Sequence, residues 1–175
     1  MSRYASRSTL LHCFMLWAET SPNTVYMTQP LADGKTLEVT WGEAANQVTR
    51  VANYLKSLNL PAGSSIGLLG RNSAHWILAD LSVWMAGHVT VPLYPTLNAE
   101  SAEYILEHSE CKLLFLGKLD GKADGWNDIK TILPDSLPLF GLPLSPRSDV
   151  TQWTDLVAQN EPVAEITLPD TSAMA

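Results

Sequence analysis

The chain has 175 residues, of which 46% are hydrophobic and 17% charged, and its formal net charge is −7. This length allows one domain with a buried core, and the acidic balance excludes a nucleic-acid partner, whose phosphates would require clustered Lys and Arg. The two cysteines, Cys13 and Cys111, lie far apart in apolar segments. That pattern argues against a disulfide framework and favours a reducing, cytoplasmic location.

An apolar run at residues 10–18 follows a basic start and could imitate a signal peptide. His12 interrupts the run and no small-residue cleavage site follows it, so the pattern favours an amphipathic helix instead. Ser8 or Thr9 would cap this helix, which would end near Pro22. The face that we expect to be buried carries Leu10, Phe14 and Trp17. No apolar stretch approaches the roughly 20 residues that a membrane-spanning helix needs, which indicates a soluble protein.

The next segment predicts a β-hairpin followed by a helix. Short strands at 25–27 and 36–41 flank a turn at 32–35. Thr40 and Glu43 have the spacing of a capping box, which starts a helix that Pro61 and Gly63 end. Its inward positions at helical spacing are Ala45, Val48, Ala52 and Leu55.

A strand at 65–69 and a helix at 74–86, capped by Asn72 or Ser73, follow. Apolar residues nearly encircle this helix, and Asp80 is its only charged residue. Such a helix must be covered on all sides, so we expect protein beyond this chain on its outer side. Gly87 ends the helix.

A third strand and helix complete an alternating pattern. The strand at 89–91 should end at Pro92 and Pro95, because proline cannot donate to a central ladder. Asn98 caps a helix at 99–109, and residues 113–116 form the next strand. The inward residues of the helix are Ala102, Ile105 and Leu106. Strands separated by helices of these lengths predict an α/β fold, a mostly parallel sheet with helices on both faces.

We interpret residues 1–175 as a single incomplete α/β domain with two parts. Residues 1–116 form the regular layer, and 117–175 form a Gly/Pro-rich irregular extension. The extension retains enough apolar residues to predict a short helix at 126–132, a strand at 137–142 and a helical turn at 153–158. The tail at 161–175 has no periodic pattern.

No residue is predicted to be catalytic, cofactor-binding or metal-binding. Gly63, Gly67 and Gly70 suggest a dinucleotide loop, but Ser65 stands where G-x-G-x-x-G requires glycine, and the P-loop signature is absent. The histidines have no metal-ligand spacing, and no G-x-S-x-G nucleophile elbow occurs. The glutamates that share a helix face, and that we expect to be solvated, are Glu100, Glu103, Glu107 and Glu110.

Six short motifs are specific as a set. They are Thr40-Trp41-Gly42-Glu43, Asn72-Ser73 followed by Trp76, Trp84-Met85-Ala86-Gly87, Val91-Pro92-Leu93-Tyr94-Pro95-Thr96, Ile105-Leu106-Glu107-His108-Ser109-Glu110 and Gly117-Lys118-Leu119-Asp120. Across most of its length the chain resembles the N-terminal part of the AMP-forming acyl-adenylate superfamily, especially the long-chain fatty acid–CoA ligases. Two positions depart from the family pattern: His75 stands where relatives often carry an acidic residue, and Cys111 where alanine is usual.

The resemblance implies a two-step ligase. ATP and a fatty acid give an acyl-adenylate and pyrophosphate, with Mg²⁺ assisting, and coenzyme A then displaces AMP. ATP, Mg²⁺ and coenzyme A are implied for the parent enzyme and none of them for this fragment, because residues 170–175 look like the segment just before the phosphate loop. The fragment is then scaffold, inactive alone, and its main partner is the remainder of the same polypeptide.

The fatty substrate that the resemblance implies is compatible with peripheral contact with a membrane, and an uncovered surface favours self-association. Three alternatives remain open at this stage: a stand-alone, non-catalytic α/β interaction module, an adenylating enzyme of another branch with a different carboxylate substrate, and a flavodoxin-like nucleotide binder that uses residues 67–72.

Overall fold

The computed structural model describes residues 9–119, 125–164 and 166. Its helices are α1 (Leu10–Thr20), α2 (Trp41–Ser57), α3 (Ala74–Met85), α4 (Ala99–His108), α5 (Trp126–Ile132) and α6 (Trp153–Gln159). Its strands are β1 (Val25–Pro30), β2 (Thr36–Thr40), β3 (Ser65–Leu69), β4 (Val89–Leu93), β5 (Leu114–Leu116), β6 (Leu139–Gly141) and β7 (Thr151–Gln152).

Strands β1 and β2 form the predicted antiparallel hairpin, and the other strands form one five-stranded sheet in the order β4-β3-β5-β6-β7. Each neighbouring pair in the larger sheet is parallel. The α/β prediction of a mostly parallel sheet is confirmed.

The sheet is covered on both faces because side chains alternate along its strands. Ile66, Leu68 and Phe115 point into one core with α1, α2, α3 and α6. Leu69 and Leu114 point into a second core with α4 and α5. The structure therefore has three layers, as the near-continuous apolar runs of β3 and β5 require.

Helix α1 forms where predicted, but its buried face is different. Thr9 caps it by accepting a hydrogen bond from the His12 backbone N–H. Leu10 and Trp17 are 61% and 47% exposed, so two of the three residues predicted to be buried lie at the surface. The residues that pack inward are Leu11, Phe14, Met15 and Leu16. The stripe is displaced because the Trp17 ring stacks on the rim of the core, against Trp41 at 5.9 Å between ring centroids.

Helix α3 receives part of its cover from this chain, and the expectation of further protein on its outer side stays a prediction. Helix α2 packs along it, and α1 and β1 contact it as well. Its large outer side chains, Trp76, Ile77 and Trp84, are half-buried against the same core. Sequence periodicity could not reveal this, because the covering elements come from an N-terminal segment that folds back over the helix.

Strand β4 continues through Pro92, which was predicted to end it. Pro92 is in register with Leu68 of β3. Strand β4 is at the edge of the sheet, and an edge strand has one side on which a missing N–H breaks no ladder bond.

The Gly/Pro-rich extension contributes to the same sheet. Helix α5, strand β6 and helix α6 confirm the elements predicted there, whereas β7, only two residues long, was not predicted. Most of the tail predicted to be irregular lies outside the described residues. Within the described ranges, no helix combines the length and the apolarity that crossing a membrane would require.

The capping box at the start of α2 gives a direct test of local stability. The Thr40 hydroxyl accepts from the Glu43 N–H at 3.2 Å, and the Thr40 N–H donates to the Glu43 carboxylate at 2.8 Å. These bonds from Thr40, chiefly the backbone one, lower the pKa of Glu43. We expect Thr40→Ala to lower the free energy of unfolding by about 1 kcal/mol in urea titrations, because an N-cap acceptor is lost. Thr40→Ser retains the hydroxyl and should lose much less; equal losses would contradict this role.

Candidate functional site

The carboxyl ends of the parallel strands are the first place to look for a site. The chain places β4 on one side of β3 and β5 on the other, so the strand order reverses between β3 and β5. In open α/β sheets this switch point is where ligands usually bind. The loops that meet there begin at Gly70, after β3, and at Gly117, after β5.

These two loops close the switch point against each other. The Gly117 N–H donates to the Leu69 carbonyl at 2.7 Å, and the Arg71 N–H donates to the Lys118 carbonyl at 2.8 Å. A Cβ on Gly70 would lie 3.0 Å from the Gly117 Cα. The backbone N–H groups of Gly117 and Arg71 are therefore bonded within the chain.

The N-terminus of α3, beside this switch point, is also satisfied internally. The Ser73 hydroxyl accepts from the Trp76 N–H at 3.2 Å. The Ala74 N–H donates to the side-chain oxygen of Gln29, on the hairpin, at 3.0 Å. A side chain thus occupies the position that an anion would take at a helix start, which disfavours the nucleotide-binding alternative at residues 67–72.

His75, in the first turn of α3, is only 9% exposed. Its ring lies edge-on to Trp153, with 6.0 Å between the ring centroids. Burial lowers the pKa of His75 from 6.5 to about 4, so the imidazole is neutral near pH 7. The positive end of the helix dipole acts in the same direction. His75 is therefore an uncharged polar group between α3 and α6.

Other residues considered as chemical candidates do not converge. The glutamates of α4 and the following turn are exposed, as predicted. Cys13 and Cys111 are free thiols, and burial raises the pKa of Cys111, which keeps it protonated. In the ranges that the structure describes, no group of three His, Cys, Asp or Glu side chains could hold a metal ion.

Sequence reasoning missed the contacts that define this region. The Trp153 indole N–H donates to the Gln47 side-chain oxygen at 2.8 Å, across 106 positions of sequence. The Gln29 contact with α3 spans 45 positions. Neither glutamine belongs to a local motif, so no sequence signal pointed to them.

Because the two loops at the switch point are in contact, we expect alanine to be tolerated less well at one of its two glycines than at the other. We expect Gly70→Ala to lower the free energy of unfolding by about 1–3 kcal/mol, because the new methyl would force the two backbones apart. Gly117→Ala is the matched control, since its Cβ would meet Leu142 at an ordinary 3.5 Å. Urea denaturation measures both, and similar losses would show that the loop packing is not the cause.

The buried imidazole predicts acid sensitivity. The folded-state pKa of His75 lies near 4 and the unfolded value is 6.5, so on acidification the unfolded chain binds the proton first. Neutral His75 therefore makes its full contribution to the free energy of unfolding above pH 6.5. This contribution is lost as the pH falls from 6.5 towards 4, and the loss is about 3 kcal/mol at most. His88, whose pKa burial also lowers, adds to the same slope. We expect His75→Phe to reduce the loss of unfolding free energy between pH 7 and pH 4.5, and an unchanged slope would contradict it.

The sequence and the fold of this chain are similar to those of known proteins. The family model described as AMP-binding enzyme matches residues 14–171. Long-chain-fatty-acid–CoA ligase FadD15 of Mycobacterium tuberculosis is 38% identical over 87 residues, 50% of this chain and 14% of the relative. Long chain acyl-CoA synthetase 3 of Arabidopsis thaliana is 33% identical over 106 residues, 58% of this chain and 16% of the relative. The human mitochondrial medium-chain acyl-CoA ligase ACSF2 is 30% identical over 99 residues, 57% of this chain and 16% of the relative.

Solved structures share the fold. Acetoacetyl-CoA synthetase from Streptomyces lividans superposes with a TM-score of 0.74 at 22% identity, covering 91% of this chain and 26% of that protein. A benzoate CoA ligase from Burkholderia xenovorans superposes with a TM-score of 0.69 at 18% identity, covering 97% of this chain and 31% of that protein. In each of these comparisons the match spans less than a third of the relative. The family match covers most of the chain and every element of its sheet, and the chain belongs to the AMP-binding enzyme family.

Proposed function

We propose that this chain is a scaffold layer of an AMP-forming acyl-CoA ligase. The observation that carries the proposal is the family match over residues 14–171, together with relatives that are named acyl-CoA ligases. The motif set in the sequence, from the capping box at Thr40 to the segment that begins at Gly117, supports the same conclusion.

The reaction is activation of a carboxylate by ATP, followed by transfer of the acyl group from AMP to coenzyme A. ATP with Mg²⁺, when bound, would supply the adenylyl group that the carboxylate accepts at the α-phosphorus, with pyrophosphate as the leaving group. The described residues do not fit these groups: the Gly117 and Arg71 N–H groups donate to the Leu69 and Lys118 carbonyls, and the same part of the chain has no metal-ligand cluster. We therefore assign no catalytic step to these residues.

The role left to the chain is mechanical. Its parallel sheet, buried on both faces, fixes the relative positions of the loops after β3, β4 and β5. A rigid wall of this kind helps to exclude water from a reactive acyl-adenylate and to hold charged groups in place. The partner that such a wall requires is the remainder of the ligase polypeptide.

A fatty acid is the substrate class that we favour. The segment Tyr94-Pro95-Thr96 resembles the long-chain branch, and two of the relatives carry long-chain names. The human relative is named for medium-chain acids, so the acyl length of the substrate has to be measured.

The exposed apolar side chains bear on the proposed contacts with a membrane or a second copy. Leu10, Trp17 and Tyr94 are 61%, 47% and 70% exposed. Leu10 and Trp17 lie on α1 and Tyr94 follows β4, so the surfaces involved are the outer face of α1 and the carboxyl edge of the sheet.

ATP–pyrophosphate exchange tests the proposed function. The complete gene product should catalyse exchange with hexadecanoate, and octanoate and benzoate measure selectivity. We expect the purified 175-residue chain to give no exchange above a heat-treated sample. Exchange by this chain alone would overturn the scaffold assignment, and a complete protein inactive with every acid would overturn the ligase assignment. Preference for octanoate would change the proposed acyl length of the substrate and leave the ligase assignment intact.

A further inference from the structure

A cleft of about 390 Å³ lies between α2 and α6, at the N-terminal end of α3. The proposed ligase reaction does not use it. Its volume is within the range of about 300–1,000 Å³ that small-molecule sites occupy. Its walls include Gln47 and Asn46 from α2, His75 from α3 and Trp153 from α6.

The oxygen atoms of both α2 amides are already used. The Gln47 side-chain oxygen accepts from Trp153 Nε1 at 2.8 Å, and the Asn46 side-chain oxygen accepts from Arg50 Nε at 2.8 Å. These bonds orient both amides and leave their NH₂ groups as donors with no protein acceptor in the described ranges. Asn46 is exposed and Gln47 is half-buried, so the α2 wall presents donors to whatever enters the cleft.

His75 supplies the complementary group. It is more than nine-tenths buried and lines the cleft, and its ring nitrogens form no hydrogen bond within the part of the chain that the structure describes. A neutral imidazole carries one N–H donor and one acceptor nitrogen. The buried side-chain atoms without a partner in the described ranges are His88 Nδ1 and Thr90 Oγ1, not the His75 nitrogens. The His75 ring therefore opens to the cleft, where it can bond a molecule that enters.

The charges of the cleft select against anions. Glu43 contributes a carboxylate to the lining and no Lys or Arg side chain does. Hydrogen bonds from Thr40 lower the pKa of Glu43, so that carboxylate is ionised at neutral pH. The rest of the lining is Thr154 and an apolar surface formed by Trp153 with Val157 and Ala158.

We propose that this cleft binds a small uncharged molecule that carries a carboxamide on an aromatic or apolar body. The ligand carbonyl accepts from the Asn46 and Gln47 amides, its N–H donates to His75, and its body packs on Trp153 and Val157. This inference is independent of the ligase function.

Nicotinamide is the test probe, and nicotinate, which has the same shape with a carboxylate in place of the amide, is its matched control. Titration followed by NMR of the Trp153 indole N–H should show saturable binding of nicotinamide, with a Kd on the order of 1 mM. Nicotinate should bind at least about 10-fold more weakly. No saturation by nicotinamide up to about 50 mM, or equal binding of the two probes, would overturn the proposal.

Two variants locate the site. His75→Phe keeps an aromatic ring but loses the hydrogen bond, and should weaken nicotinamide about 5-fold, the factor that corresponds to one neutral hydrogen bond. Ala158→Phe fills the cleft from its exposed rim and should abolish binding, whereas Glu107→Phe, on the exposed face of α4 across the sheet, should not change it. If His75→Phe does not fold, the comparison of nicotinamide binding by Ala158→Phe and Glu107→Phe tests the proposal. Binding by Ala158→Phe as tight as that of the wild type would show that nicotinamide binds elsewhere, and would refute the assignment.

Discussion

The structure depends on the close approach of the backbones that follow β3 and β5. Gly117 lies against Gly70 with no side chain between them, and the N–H groups of Gly117 and Arg71 bond across the gap. This contact fixes the strand pair on which both cores are built, because Ile66 and Leu68 of β3 face one core and Leu69 the other. It also uses the amides at the place where an α/β sheet would ordinarily bind a ligand.

A second constraint ties the C-terminal elements to the first half of the chain. Trp153 is almost completely buried and bonds to Gln47, and Arg50 bonds to the Asn160 carbonyl. Helix α6 is thereby held against α2, and the short strand β7 that precedes it is brought to the sheet. The walls of the α2–α6 cleft follow from this docking rather than from any local motif.

The sequence predicted those features whose cause is local. Hydrophobic period and caps predicted α2 and α4, a cap before a long apolar segment predicted α3, and the apolar content of the extension predicted α5. Continuous apolar runs predicted β3 and β5. The errors have tertiary causes: Trp17 stacks at the rim of a core, and Pro92 is at a sheet edge. No site residue was predicted, because the groups that line the cleft come from three helices and meet only through contacts up to 106 positions apart.

The placement of Pro92 affects how copies of this layer can meet. It is exposed on β4, at one margin of the sheet, and the opposite margin is β7, only two residues long. Neither margin offers a long row of free N–H groups, so each is a poor template for a strand from a neighbouring molecule. The two edges of the sheet that the structure describes thus disfavour cross-β stacking between neighbouring molecules.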